Sequence, residues 1–221
     1  MSSYVLKGKA IWISKEPAPT GLAITAVTKA AECEITVANT ASPGDIVRVE
    51  GTGFSSLDGK AFEIKSASLT AVVIDFDTTA ETGTFTTGGK AYIYDADTDL
   101  VCVCLNSFGV NREAAATITA ATFCGTDTLA GQPGAVTFEF AGFDDPESAG
   151  LAELIKAQMD GKPRVMVYVY PASASSTGKS YKLILPSVVV SGLNGPVATA
   201  DGAATFSGTG TVNGTPTYTN L

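Results

Sequence analysis

Histidine is entirely missing from the 221 residues. That absence removes Ser-His-Asp and Cys-His nucleophile systems together with most zinc and iron sites. Charge is sparse, and acidic residues outnumber basic ones by 22 to 14. The chain thus has little of the Lys and Arg that neutralise phosphates when a protein grips nucleic acid. No apolar run reaches transmembrane length, and Met1 to Lys9 has none long enough for a signal peptide, so the expectation is a soluble product made in the cytoplasm with no membrane partner. Four cysteines, Cys33, Cys102, Cys104 and Cys124, without an export signal read as buried thiols rather than a disulfide framework. Cys102 and Cys104 alternate and share a strand face, but no CxxC knuckle or histidine completes a zinc site, and no metal or cofactor is expected.

What is present is strand and turn material. Hydrophobic residues make up 45% of the chain, in short runs of Val, Ile, Thr, Phe and Tyr broken by 23 Gly and 10 Pro, which predicts a mainly β protein. Tyr4–Ser14 reads as a first strand stopped by Glu16-Pro17-Ala18-Pro19. Between Ile24 and Tyr94 the strand-like pieces are Glu34–Val37, Asp45–Glu50, Ala61–Lys65, Ala71–Phe76 and Lys90–Tyr94. Turn signals at Pro43-Gly44-Asp45, Gly51-Thr52-Gly53, Asp58-Gly59 and Gly88-Gly89 separate them. Residues 22–94 are expected to form a small inserted β-barrel or sandwich, with 1–21 and 95–221 as the main body. Further strands are expected at Leu100–Leu105, Ala116–Phe123, Ala135–Phe140, Arg164–Tyr170, Ser180–Leu185 with Val188–Val190, and Ala203–Val212, followed by a loosely held tail from Thr211.

One helix is predicted, over about 146–160. Asp145 serves as its cap, Pro146 as its first residue, Glu147 at its positive end, and Gly161 with Pro163 close it. Leu151, Leu154, Ile155 and Met159 fall at i, i+3, i+4 and i+8, an apolar stripe for packing on a sheet. The same capping role accounts for Asp144-Asp145 better than a catalytic pair does. Asp95, Asp97 and Asp99 begin like a calcium loop, yet Leu100 stands where glycine is needed and Asn106 where a bidentate glutamate is needed. If extended, these three aspartates share one face as an acidic stripe. Gly178-Lys179-Ser180 ends like a phosphate loop, but a strand follows it rather than a helix. With these motifs failing, no enzymatic activity is expected.

From about Ala116 to the C-terminus the order of features resembles the tail tube proteins of long-tailed, siphophage-type bacteriophages. Paired strands lead to a helix entered through Phe143-Asp144-Asp145-Pro146, then Pro163-Arg164-Val165-Met166-Val167-Tyr168. Tyr181-Lys182-Leu183-Ile184-Leu185-Pro186 and a closing Phe206-Ser207-Gly208-Thr209-Gly210-Thr211 complete it. The resemblance implies a β-sandwich or barrel core flanked by one helix, a virion tail component assembled in the host cytoplasm. It implies hexameric rings stacked head-to-tail, with copies of itself and the tape measure, distal tail and terminator proteins as partners, and DNA touching an acidic bore only in transit. On that reading Glu139, Asp95, Asp97 and Asp99 are candidates to face the lumen. Pro43-Gly44-Asp45-Ile46-Val47, Leu57-Asp58-Gly59 and Gly88-Gly89 are similar to a small β-module inserted in phage virion proteins, a pattern shared with a half-domain of ubiquitin-activating enzymes; no activity follows from it. The competing expectation is a virion decoration or adhesin module binding a host-surface carbohydrate. Such a site needs exposed aromatics, and Trp12 lies in a strand whose neighbours suggest burial.

Overall fold

The computed structural model describes residues 10–112, 117–122, 125–130, 135–143, 145, 147–170, 180–197 and 204–220. Tyr4–Lys9, Cys124, Asp144, Pro146 and Gly178-Lys179 lie outside the described residues. The first described strand, β1 (Ala10–Ser14), leads into six strands that form a closed antiparallel barrel. These are β2 (Leu22–Val27), β3 (Cys33–Val37), β4 (Ile46–Glu50), β5 (Lys60–Ser68), β6 (Ala71–Ile74) and β7 (Lys90–Tyr94), in the order β2-β3-β6-β5-β4-β7. Alternation does the work of burial: Cys33, Ile35 and Val37 point inward with Val47, Val49, Ile64, Val72 and Ile74, while Glu34 is exposed. The sequence's turn signals become barrel corners. The Asp58 carboxylate accepts hydrogen bonds from the Thr52 amide, the Thr52 hydroxyl and the Gly53 amide. Gly59 then turns with φ 74°, a left-handed conformation that favours glycine.

The second assembly is a seven-stranded sheet ordered β12-β1-β8-β11-β14-β13-β15. It comprises β1, β8 (Leu100–Arg112), β11 (Val136–Phe143), β12 (Arg164–Tyr170), β13 (Tyr181–Val197), β14 (Thr205–Val212) and β15 (Thr217–Asn220). Because β12 also pairs with β13, six of these strands form a ring of antiparallel pairings. Between β8 and β11 the chain folds back on itself as a hairpin of β9 (Thr117–Thr122) and β10 (Gly125–Ala130). Among the described residues the protein is mainly β with one helix, α1 (Ala149–Asp160).

Three expectations are corrected here. The helix starts at Ala149, because Asp145 is spent on a turn, accepting from Glu147 N and, through its carbonyl, from Ser148 N; Ser148 caps the helix instead. The stripe is also rotated. Leu151 and Leu154 are buried, but Ile155 is 43% and Met159 83% exposed. Gly150, Glu153 and Ala157 complete the buried face, with Gly150 so close to β8 that a Cβ there would lie 2.2 Å from the Cys102 carbonyl. Lastly, the tail is not loose throughout. β15 pairs with β13, and the buried Thr217 hydroxyl donates to the Ala61 carbonyl of the barrel.

Barrel and sheet meet over a shared apolar cluster. Trp12, Leu100, Val165, Val167 and Ile184 of the sheet side pack against Ile46, Ala61, Tyr92 and Tyr94. A Lys182–Glu63 ion pair adds to the junction. β12 is consequently covered on both faces, since Met166 and Tyr168 point into the main core. That explains its uninterrupted apolar run.

Candidate functional site

The outer face of β8, β11, β14 and β13 is built by two-residue alternation, interrupted by register shifts at Ala141/Gly142 against β8 and at Val190/Gly192 and Asn194/Val197 against β14. On the inner side of β11, Phe138 and Phe140 stack with centroids 5.8 Å apart. They lie across β14 where Gly210 and Gly208 leave room: a Cβ would meet the Phe138 ring at 2.4 Å and the Phe140 ring at 2.3 Å. The Phe206-Ser207-Gly208-Thr209-Gly210-Thr211 phrase is thereby explained, with glycines inward under aromatic rings and hydroxyls outward.

Outward, the paired rows are small and, Glu139 apart, neutral. Thr137 sits between Asn111 and Thr211, and Ala141 between Ser107 and Ser207. Glu139 sits between Gly109 and Thr209 and is exposed. Its carboxylate accepts one long hydrogen bond, 3.4 Å, from Asn111 Nδ2, and it makes no ion pair among the described residues. The missing side chain of Gly109 leaves a shallow depression of about 430 Å³ beside it, bounded by Ser107, Ala141, Asn194 and Thr209. At the end of the face, Phe143, Thr205 and Val197 form one cross-strand row, with Phe143 and Val197 both exposed.

Asp95, Asp97 and Asp99 are not brought to this face, nor do they form a stripe. They make the turn between β7 and β8: the Asp95 carboxylate accepts from the Asp97 and Thr98 amides, and the Asp99 carboxylate from the Asp95 amide. Local capping of backbone N–H groups outcompetes an extended strand there. Among the described residues no group of three His, Cys, Asp or Glu is arranged to hold a metal ion. The buried-thiol expectation holds for Cys33, but Cys102 is half-buried and Cys104 exposed. Burial raises the Cys102 thiol pKa, and the neighbouring Cys104 raises it further.

A second polar cluster, missed in the sequence, anchors α1. Arg164, fully buried, donates from Nε to Glu153 (3.0 Å), from Nη2 to Asp160 (2.8 Å), and from Nη1 to Glu16 (3.4 Å) and the Lys162 carbonyl. Lys162 also pairs with Glu16 at 3.1 Å, and Lys156 with Glu153 at 3.8 Å. Burial works against the guanidinium's charge, but the Asp160 and Glu153 hydrogen bonds outweigh it and the Arg164 pKa is raised. The same Arg164 bond lowers the Asp160 pKa. With opposite charges satisfied internally, this is a structural clamp rather than a site open to substrate.

No helix among the described residues is long and apolar enough to cross a membrane. No family model and no curated protein matches the chain. Among solved structures, the chain is similar to the tube-terminating cap of the anti-feeding prophage, seen by cryo-electron microscopy. That likeness has a TM-score of 0.41 and 17% identity, over 54% of this chain and 83% of that one.

Proposed function

We propose that this chain is a non-enzymatic structural subunit of a phage tail. In this reading it assembles into hexameric rings that stack head-to-tail into a tube, with the outer face of β8, β11, β14 and β13 lining the bore. The observation that carries the reading is the chemistry of that face where β11 and β14 pair with their neighbours: among the described residues its outward rows there hold hydroxyls, amides and bare glycines, one carboxylate at Glu139, and no Lys or Arg. A wall of this kind gives passing DNA no cation to bind, and the carboxylate repels phosphate. The resemblance of the C-terminal half to tail tube proteins points the same way. Its partners are then further copies of the chain and the tape measure, distal tail and terminator proteins, with DNA in contact only during ejection. Copies in a tube need a heterologous contact that repeats along the axis, and the acidic middle and basic C-terminal quarter of the sequence supply one complementarity.

Electron microscopy of the purified full chain at high concentration tests this. The expected result is tubes of regular axial repeat in which Glu139 points into the bore. A strictly monomeric protein, or a bore lined by Lys and Arg, overturns it.

A further inference from the structure

β8 carries two free cysteines, Cys102 and Cys104, that the tube reading does not use. Cys102 is half-buried and Cys104 exposed. Val103 between them is buried in the main core, so strand alternation sends both thiols to the opposite face. Register places Cys104 opposite Ala10 and Cys102 opposite Trp12 of β1. Residues so opposed project to the same side of a sheet, and Trp12, the chain's only tryptophan, stands beside Cys102. The two thiols also meet each other. Burial raises the Cys102 pKa, and Cys104 raises it further through its charge and a side-chain hydrogen bond. The backbone that carries them is fixed from two sides, by β1 and by α1, whose Gly150 packs so tightly on the Cys102 carbonyl that a side chain would not fit.

What such a pair can hold follows from its spacing. Two residues along a strand lie about 6.6–6.8 Å apart, whereas a disulfide brings its Cβ atoms to about 3.5–4.5 Å. A direct bridge would therefore buckle β8. Two metal–sulfur bonds of about 2.3 Å each let the sulfurs stand as far as about 4.6 Å apart, a span that side chains rooted at strand spacing reach by rotation about χ1. The number of ligands narrows the choice of ion. Among the described residues no third His, Cys, Asp or Glu joins the pair, so a tetrahedral zinc site is short of donors. Sulfur donors select soft ions over hard ones, and a soft monovalent ion satisfied by two donors in line needs nothing more.

We propose that Cys102 and Cys104 form a binding site for a soft monovalent metal ion, Cu(I), held in line between the two sulfurs. Each thiol gives up its proton on binding. One Cu(I) and two thiols become one S–Cu–S unit of charge −1 and two protons, with copper unchanged in oxidation state. Both residues pair with β1 rather than β11, outside the rows assigned to the bore, so this site and the tube reading stand or fall independently.

The test is an anaerobic titration of the full chain with Cu(I) in competition with bicinchoninate, followed by Trp12 fluorescence. The expected result is one Cu(I) per chain, with quenching of Trp12 that ends at the same equivalence. Cys104→Ser, a change at an exposed position, should weaken binding at least about a hundredfold, because loss of mere outer-shell partners already costs about 10–100-fold. Cys124→Ser should bind as the wild type does, and circular dichroism checks the fold of each variant. No binding against the competitor overturns the proposal. So does binding unchanged in Cys104→Ser or lost in Cys124→Ser, Cu(I) bound without quenching of Trp12, or Zn²⁺ bound more tightly than Cu(I).

Discussion

Replacing Arg164 by Met asks what the buried clamp contributes. The guanidinium is fully buried and touches three carboxylates, but its loss does not fall equally on them. Glu16 keeps Lys162 at 3.1 Å, and Asp160, partly exposed, keeps the Lys162 amide. Glu153, only 7% exposed, keeps only Lys156 at 3.8 Å, so the cost concentrates there. Stranding a buried charge costs about 3–5 kcal/mol. For a chain of this size that lowers the midpoint of thermal unfolding by about 6–20 °C. Adding Glu153→Leu removes the stranded carboxylate and is expected to recover at least half of the loss, because an apolar replacement of a buried pair is often neutral. Acid dependence follows from the direction of the shift. Asp160 has a lowered pKa in the folded state through the Arg164 hydrogen bond, so its contribution is complete above about pH 4 and is lost as pH falls through the folded value. The wild type should lose more stability than Arg164→Met over that acid range. Urea unfolding by circular dichroism at pH 7 and at steps below pH 4 measures both effects. An Arg164→Met protein within 1 kcal/mol of wild type, or a double variant as unstable as the single, refutes the reasoning.

Leu154→Ala is expected to cost about 2–5 kcal/mol in urea unfolding, whereas Met159→Ala, on the exposed side of the same helix, should stay within about 0.5 kcal/mol. Residues 22–94 expressed alone should give a soluble β-rich fragment by circular dichroism, because the barrel is closed and has its own core. The remainder, rejoined, should aggregate on size exclusion unless Val165, Val167 and Ile184, which the barrel covers, are made polar.

The sequence marks elements whose local signal and burial agree. Lys90–Tyr94 and Arg164–Tyr170 come out with their bounds unchanged, and Glu34–Val37 and Asp45–Glu50 within one residue. The helix stripe went astray for a specific reason. An apolar pattern cannot anticipate a Glu on the core side, and Glu153 is there because a buried Arg from the next strand meets it. With Glu153 and Gly150 inward, Ile155 and Met159 are turned out. β8 continues through polar Asn106 and Ser107 to Arg112 because one of its faces is the outer surface, which needs no apolar residue. Glu139 alternates with Phe138 and Phe140 along the sequence, and the structure buries the two phenylalanines and exposes the glutamate, as that parity requires. The Arg164 clamp was illegible, since Glu16 stands 148 residues from Arg164 and no spacing along the chain records their meeting.

The barrel's insertion also has a bearing on the order in which the chain folds. β1 and β8 are direct neighbours, with Ser14 opposite Leu100 and the Lys15 amide donating to the Asp99 carbonyl at 2.8 Å, so everything from 15 to 99 is the loop of one hairpin. Closing a floppy loop grows dearer by about 0.6 kcal/mol with each doubling of its length. Yet β2 pairs with β7, Leu22 opposite Ala91, so a finished barrel holds its own entrance and exit side by side. Once it has formed, the long loop is kinetically a short one. β1, made before the barrel, would then wait for it before joining the sheet, and a substitution deep in the barrel would slow assembly of strands it never touches.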